Sequence, residues 1–520
     1  MTLKILFRVD ASVKIGTGHV MRCLTLADEL TKENLKIQFI CRAHDGHLGD
    51  LIRKRGYSVV LLPKTEVEYI CTTDDPIYAH WLGVHWRQDA KETSTVLYET
   101  CIDWLIVDHY GIDSRWHNEL RKVTKKIIVI DDLADRQLDC DLLLNPTFGE
   151  KKRYQALVPE NCQLLLVAKY ALLRPEFALL RNRALNKRAA FNGINNILIT
   201  MGGMDFDNAT SRVLDIIFTI KWDKKPVINV VLNKLAPHLE TVSEQVKYCP
   251  LQVNVLTNVD NMAELMLDAD FCVGTAGSTS WERCTLGLPA IVVCLAENQK
   301  DIFQNLENAG VHSTFSDFNI DNIHALVKEF NDILNNRSFI RNMSAAAFNV
   351  CDGKGVCRAG LEIIPYFAKD DQPITVIDAT MNDAKMIYDW QCHPMTRKYA
   401  NNPEIPSWDT HLSWLKSKLD SFSSYFWIIQ HGNEASGVLR FDPVTFGEKD
   451  GFLISIFIAP KKYQLGIGSG VLEIGKKFFS DSILYAKVFD ENRASISLFE
   501  NAGFKYREDV SCYEWIHTNE

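Results

Sequence analysis

Arg8-Val-Asp-Ala-Ser-Val-Lys-Ile-Gly-Thr-Gly-His-Val-Met-Arg22 is the stretch whose reading decides the fold. An apolar run over residues 5–9 reads as a buried strand entering it, and Val20, Cys23, Leu24, Ala27 and Leu30 recur beyond it at helical spacing. A strand, a glycine turn and a helix start together make an anion site, because the first helical amides have no partner inside the helix. Gly16 and Gly18 let a ligand approach the main chain closely. His19 stands at the mouth of the turn. The positive end of a helix disfavours imidazolium, so a neutral ring able to accept a proton is expected there. The charged neighbours Arg8, Asp10 and Arg22 are expected to find their partner in a bound ligand. The alternative is a histidine that only caps its own helix.

Outward from this stretch, strand-like runs at 5–9, 37–41, 59–62, 104–107 and 127–130 alternate with helical segments around 20–32, 47–55, 88–101 and 113–124. Such alternation argues for parallel strands joined by crossover helices. A second alternating set runs through 197–201, 227–232, 253–256, 271–273 and 290–294. Residues 181–196, polar and basic, read as the connection between two Rossmann-like halves, 1–185 and 186–367. Two doubly wound α/β halves facing a cleft is the expected architecture. The pattern changes after Phe367, with residues 369–373 as a short linker and a separate α/β domain over 373–518.

Length and composition limit the classes of function. A chain of 520 residues with 47% hydrophobic content suits several soluble globular domains. The longest apolar run, residues 288–295, is too short to cross a bilayer, and the first strand follows no charged leader with an apolar core. A cytoplasmic protein without membrane contact is therefore expected. A net charge of −9 without a dense basic run argues against nucleic-acid partners and leaves small anionic substrates to local groups. The fourteen cysteines form no Cys-x-x-Cys pair, and Cys23, Cys272, Cys284 and Cys294 lie in apolar runs as small hydrophobes. Cys351 and Cys357 flank a Gly-Lys-Gly turn without a histidine pair, so no structural metal is expected.

Three more constellations in the first two thirds carry chemistry. Asp108-His-Tyr-Gly111 closes the 104–107 strand, where parallel sheets present functional groups, and puts Asp108 and Tyr110 at a strand end. Met201-Gly-Gly-Met-Asp205, with Gly202 and Gly203, offers another glycine turn before a helix. Gly274-Thr-Ala-Gly-Ser-Thr-Ser-Trp-Glu-Arg283 makes a second phosphate-binding end from Gly277, Ser278 and Thr279, with Glu282 placed to accept from ribose hydroxyls or simply to complement the helix dipole. Glu297-Asn-Gln299 brings polar groups to the same rim after the 290–294 strand. Two anion-ready turns, one from each half, point to a diphosphate ligand.

Taken together, Arg8-x-Asp10, the Ile-Gly-x-Gly-His19 turn with Arg22, Asp108-His-Tyr-Gly111, Met201-Gly-Gly-x-Asp205 and Glu297-Asn-Gln299 resemble the UDP-2,4-diacetamido-2,4,6-trideoxy-β-L-altropyranose hydrolases of pseudaminic acid biosynthesis. The resemblance spans about residues 1–365. It implies a GT-B-like pair of Rossmann domains and a metal-independent hydrolysis that releases UDP from the anomeric carbon. It further implies that His19 is the general base, that Asn298 and Gln299 belong to the active site, and that residues 277–282 hold UDP.

The last third repeats the strand–turn–helix logic in Ile454-Ser-Ile-Phe-Ile-Ala-Pro460 followed by Gly466-Ile-Gly-Ser-Gly470, and Asn492-x-x-Ser495 opens a helix ending at Gly503-Phe504. These motifs resemble the GNAT superfamily of N-acetyltransferases over about residues 373–518. The resemblance implies acetyl-CoA as co-substrate, contacted by Ile458, Gly466, Ile467, Gly468, Ser469, Asn492 and Ser495. Trp390, Trp408, His411 and Trp414 are similar to the branch that acetylates amino sugars on nucleotides, and serve equally well as core residues. Two positions depart from the pattern. Tyr463 stands where an Arg or Gln usually opens the coenzyme loop, and Phe499 where a tyrosine often acts as general acid. Phenylalanine has no proton to give. The rival readings are a glycosyltransferase or hydrolysing 2-epimerase, and a hydrolase whose last domain only binds acyl-CoA or mediates dimerisation.

Overall fold

The computed structural model describes the chain apart from residues 1–2, 33–34, 66–68, 98–100, 148–150, 296–298, 316–317, 319–321, 401, 448 and 518–520. It divides into two units, Met1–Ala359 and Gly360–Glu520.

The first unit holds two parallel sheets. One comprises β1 (Lys4–Val9), β2 (Lys36–Arg42), β3 (Ser58–Leu62), β4 (Ile102–Asp108), β5 (Thr124–Ile130), β6 (Leu142–Asn145) and β7 (Gln163–Leu166), in the order β3-β2-β1-β4-β5-β6-β7. The other comprises β8 (Asn196–Thr200), β9 (Val227–Leu232), β10 (Gln252–Thr257), β11 (Phe271–Thr275) and β12 (Ala290–Val293), in the order β10-β9-β8-β11-β12. Both sheets start in the middle and wind outward in both directions. Each therefore has a switch point between its first and fourth strands, where ligand crevices open at the C-terminal ends. The strands read as continuous apolar runs because helices cover both faces. Ile5, Leu6, Phe7 and Val9 of β1 and Phe271, Cys272 and Val273 of β11 are all buried.

Three expectations of organisation are corrected here. Strands β6 and β7 were not anticipated, since four residues such as Leu142–Asn145 show no periodicity. Residues 181–196 are not an open connection, because their first nine residues complete the helix Pro175–Ala189 and a boundary at 185/186 cuts through it. Arg181 donates to the carbonyls of Thr285 (3.0 Å), Phe348 (2.8 Å) and Cys351 (2.8 Å), and Arg188 to those of Met266 (3.0 Å) and Ala269 (2.6 Å). Both guanidiniums are buried, so the basic character that suggested a solvated linker is a set of carbonyl clamps. Residues 369–373 are likewise no linker. The first four lie in the tip of a hairpin between β13 (Tyr366–Phe367) and β14 (Pro373–Asp378), closed by Ala368 N–H to Gln372 O at 2.9 Å, and Pro373 opens β14.

The second unit is one eight-stranded sheet. After β14 come β15 (Tyr425–His431), β16 (Glu434–Phe446), β17 (Lys449–Ile458), β18 (Ile483–Ala486), β19 (Lys505–Arg507) and β20 (Cys512–Trp515), in the order β13-β14-β15-β16-β17-β18-β20-β19. Its single parallel pair, β17 with β18, runs only from Gly451 to Ile454 on β17. Beyond it, Ser455 to Ile458 have no strand partner on that side among the described residues and stay partly exposed. Among the described residues no helix is long and apolar enough to cross a membrane.

Candidate functional site

The switch point of the first sheet lies between β1 and β4, and the groups that follow these strands meet there. The chain leaves β1, turns at Gly16 with a left-handed φ of 82°, and enters the helix Gly18–Leu30. Thr17 gives this helix no side-chain cap. The amides of Gly18 and His19 have no protein partner among the described residues. His19 Nδ1 sits 2.6 Å from Asp108 Oδ1 at the end of β4, and a tenth of its side-chain surface is open. Arg22, one turn further along the helix, grips the same carboxylate with Nε to Oδ2 and Nη2 to Oδ1, both at 2.6 Å. Burial alone would raise the Asp108 carboxyl, but the charges of Arg22 and His19 outweigh it and hold the group below its ordinary range. With Nδ1 on the Asp108 carboxylate, Nε2 is the ring nitrogen left to meet a bound molecule.

An aromatic wall borders the ring. Tyr110 meets it edge-on at 4.6 Å and Trp81 at 6.1 Å, and Tyr78 packs on both Trp81 (4.7 Å) and Tyr110 (5.6 Å). The Tyr110 hydroxyl donates to Asp132, whose other oxygen lies 3.5 Å from Arg22 Nη1.

Arg8 and Asp10 find partners within the protein. Both are buried, and Arg8 is spent on Asp10 (Nη1 to Oδ1, 2.7 Å) and on Asp89 (Nη2 to Oδ2, 2.7 Å). Asp10 also accepts Arg42 N–H at 2.6 Å, and Arg42 closes the network on Asp89 at 2.6 Å. The sequence shows charges near a turn but not that Asp89, 81 residues away, arrives to neutralise one of them. The pair anchors the end of β1 beneath the His19 turn.

In the second half, the two glycine turns behave differently. The turn after β8 leads to the helix Ala209–Thr219, but Asp205 fills that helix start itself, accepting from Ala209 N (2.9 Å) and Thr210 N (2.9 Å). This helix start is closed, although the amides of Gly202 and Gly203 make no bond to protein among the described residues. The turn after β11 stays open. Gly277 precedes the helix Ser278–Thr285 without a side-chain cap, and the amides of Ser278 and Thr279 have no protein partner among the described residues. Beneath them lies Arg283, buried, bonded to Ser280 Oγ (3.0 Å) and Thr275 O (3.1 Å) and paired with no carboxylate among the described residues. A buried cation behind an open helix start favours an anion in front of it. Glu282 makes no ion pair among the described residues, and burial pushes its carboxyl up to about 7 against the pull of Arg174 and Arg283. Gln299 packs beside Gly277, with its Nε2 within 3.8 Å of where a side chain there would begin. Asn298 and Glu297 lie outside the described residues.

In the second unit, Gly466 (φ 79°) precedes the helix Ile467–Phe478, again without a side-chain cap, and the amides of Ile467, Gly468 and Ser469 have no protein partner among the described residues. Ile458 ends the unpaired stretch of β17. Asn492 is already engaged, since its side chain accepts Ser495 N–H (3.2 Å) and caps the helix Arg493–Asn501. Phe499 is a core residue, 3% exposed and edge-on to Phe504 at 5.1 Å. Trp390 and Trp414 pack on the core around Ile387, Leu415 and Phe426, and only Trp408 of the aromatic set is exposed.

Sequence reasoning missed Trp81, Tyr78 and Asp132. Asp132 was findable, because an acidic pair directly after a buried parallel strand is the same signal that singled out Asp108. Tyr78 and Trp81 lie in the long excursion between β3 and the helix Trp86–Val96, and no local pattern relates them to His19.

Comparison with known proteins agrees with this division. Residues 196–354 match the glycosyltransferase family 28 C-terminal domain, and residues 384–504 match the acetyltransferase (GNAT) family. An uncharacterized protein of Methanocaldococcus jannaschii, MJ1062, is 26% identical over 99% of both chains. The UDP-2,4-diacetamido-2,4,6-trideoxy-beta-L-altropyranose hydrolase of Campylobacter jejuni is 27% identical over 57% of this chain and 94% of its own length. Among solved structures, Acinetobacter baumannii MurG superposes with a TM-score of 0.52 at 13% identity, covering 70% of this chain and 99% of MurG. The chain is thus homologous to that hydrolase and joins a GT-B-type enzyme domain to a GNAT-type acetyltransferase domain.

Proposed function

We propose that the first unit hydrolyses a UDP-linked diacetamido sugar, UDP-2,4-diacetamido-2,4,6-trideoxy-β-L-altropyranose, and that the second acetylates the 4-amino group of its UDP-sugar precursor with acetyl-CoA. One observation carries the first half of this reading: the 2.6 Å contact of His19 Nδ1 with Asp108 at an uncapped helix start on the sheet's switch point. The homology to the Campylobacter hydrolase supports the substrate class.

In this mechanism His19 Nε2 removes a proton from water as its oxygen bonds to the anomeric carbon. The bond from that carbon to the diphosphate oxygen breaks, and its electron pair leaves with UDP. Asp108 orients the ring and stabilises the imidazolium that forms. The helix-start amides of Ser278 and Thr279, backed by Arg283, take up charge on the departing diphosphate, and Glu282 accepts from ribose hydroxyls. UDP is a good leaving group, so the chemistry asks little more than one base and oriented dipoles.

For the second unit, the open amides of Ile467, Gly468 and Ser469 support a site for the coenzyme pyrophosphate, and the unpartnered edge of β17 supports one for its amide-bearing arm. Asn492 and Ser495 act there by shaping the helix start rather than as free donors. The core position of Phe499 favours a second reading, in which this unit binds an acyl-CoA without transferring the acyl group. The deciding experiment incubates the full chain with UDP-4-amino-sugars and acetyl-CoA and follows acetylated product and free UDP together. Appearance of both supports two linked activities, UDP release only from pre-acetylated substrate supports the binding module, and UDP release only with a sugar acceptor refutes the hydrolase.

A further inference from the structure

One exposed ion pair joins the two halves of the first unit at a place where its position matters more than its strength. Arg153, in the short turn after β6, donates through Nη2 to the carbonyl of Leu133 at 2.9 Å and pairs through Nη1 with Asp301 Oδ2 at 2.9 Å. Leu133 follows Asp132, the residue that receives the Tyr110 hydroxyl next to His19. The turn that carries Asp132 has further internal contacts. Asp131 is buried, accepts Ala134 N–H (2.9 Å) and the Tyr154 hydroxyl (2.9 Å) and forms an ion pair with Arg136 Nη1 (2.8 Å), and Ala134 is held at a left-handed φ of 53°. On the other side, Asp301 lies in the first turn of the helix Lys300–Asn308, whose N-cap Gln299 packs beside Gly277 at the open helix start of the second half. A single guanidinium therefore connects the wall behind His19 with the helix adjoining the Ser278 and Thr279 amides.

We propose that Arg153 and Asp301 are a positioning pair that holds the water-activating half and the nucleotide-binding half in register; this rests on the hydrolase reading given above. Side-chain exposures of 34% and 68% make the pair a poor source of stability, since exposed ion pairs contribute little. What it governs is geometry, because a small misplacement of a base relative to a bound carbon lowers the rate steeply. Binding of UDP alone uses groups of the second half and does not depend on the pair. Arg153 and Asp301 act only through the two segments they join, so they are positioning residues and not catalytic ones.

The test uses the full chain with Arg153→Ala, Asp301→Ala, the double variant and the conservative Asp301→Glu, which keeps a carboxylate for Arg153 and leaves its bond to Leu133 in place. The expected result is a loss of about tenfold in kcat for UDP release in each alanine variant, a double no worse than the slower single, and recovery in Asp301→Glu. The constant for inhibition by UDP and the melting temperature stay as in the parent chain. Amide exchange at Leu133 and Ala134 and in the first turn of the helix Lys300–Asn308 quickens together in the alanine variants and slows again in Asp301→Glu. Parental kcat in the single alanine variants, losses that multiply in the double, or Asp301→Glu as slow as Asp301→Ala would each overturn the proposal. A parent chain that releases no UDP overturns the hydrolase reading instead, and the exchange measurement still tells whether the two segments are tied.

Discussion

The helices Gly18–Leu30 and Ala209–Thr219 occupy the same place in the two Rossmann halves, each directly after the first strand of its sheet, and they are put to opposite uses. The first has no side-chain cap, and its leading amides at Gly18 and His19 have no protein partner among the described residues. The second is sealed by Asp205, which binds the amides of Ala209 and Thr210. In that half the open helix start has moved across the switch point to Ser278–Thr285, behind the fourth strand. The difference teaches that a glycine turn after a parallel strand supplies only the opportunity for an anion site. Whether the chain's own carboxylate arrives first decides whether the opportunity is kept.

The contrast can be broken in four ways. The largest effect is expected at the open start. Asp108→Asn keeps the packing but presents an amide to Nδ1, so the favoured tautomer is lost, and kcat for UDP release should fall about 1,000-fold with little change in KM, as steady-state kinetics would show. Next is the pH dependence of UDP binding. Glu282, raised from 4.5 to about 7 by burial, is protonated in the empty site below that pH and accepts from ribose hydroxyls most strongly once ionised. Affinity for UDP measured by calorimetry should therefore be greatest above pH 7 and fall by up to about tenfold per unit below it, and Glu282→Gln should flatten the profile. The same shift favours the folded, empty chain at low pH: its contribution is complete below pH 4.5 and is lost as the pH rises to 7. Glu282→Gln should accordingly gain in melting temperature over the parent most clearly above pH 7.

At the closed start, Asp205→Ala should cost about 1–2 kcal/mol of stability through the lost cap and leave the affinity for UDP unchanged. A large drop in UDP affinity with an unaltered melting curve would mean that the β8 turn is a ligand site after all. The smallest effect is expected in the second unit. Phe499→Tyr adds a hydroxyl to a ring packed in the core, and acetyl transfer should stay within about threefold of the parent, because a coenzyme A thiolate needs little help to leave near neutral pH. A gain well beyond that would show that a proton donor at this position limits the rate.

The parts that were legible in the sequence are those that depend on local pattern. Fully buried strands such as β1 and β11 announce themselves as apolar runs, and the open starts at Gly18, Ser278 and Ile467 follow from glycine, small residues and periodicity. Groups that meet through the fold were not legible. Arg8 and Asp10 suggested a ligand because Asp89 and Arg42, which neutralise them, come from a distant helix and strand. Arg181 and Arg188 looked solvated because the carbonyls they clamp lie about 80 to 170 residues further on. The hairpin at residues 369–373 looked like a linker because β13 has only two residues. Asp205 could have been read correctly, since an acid four residues before a helix's first unpaired amides is a capping signal.

The most direct measurement follows UDP release from UDP-2,4-diacetamido-2,4,6-trideoxy-β-L-altropyranose in ¹⁸O-labelled water, for the parent chain and for His19→Ala. Attack of activated water at the anomeric carbon predicts unlabelled UDP from the parent, and a variant that folds and keeps its acetyl-CoA binding but releases no UDP. Label in the β-phosphate of UDP, or turnover by His19→Ala near that of the parent, would contradict it.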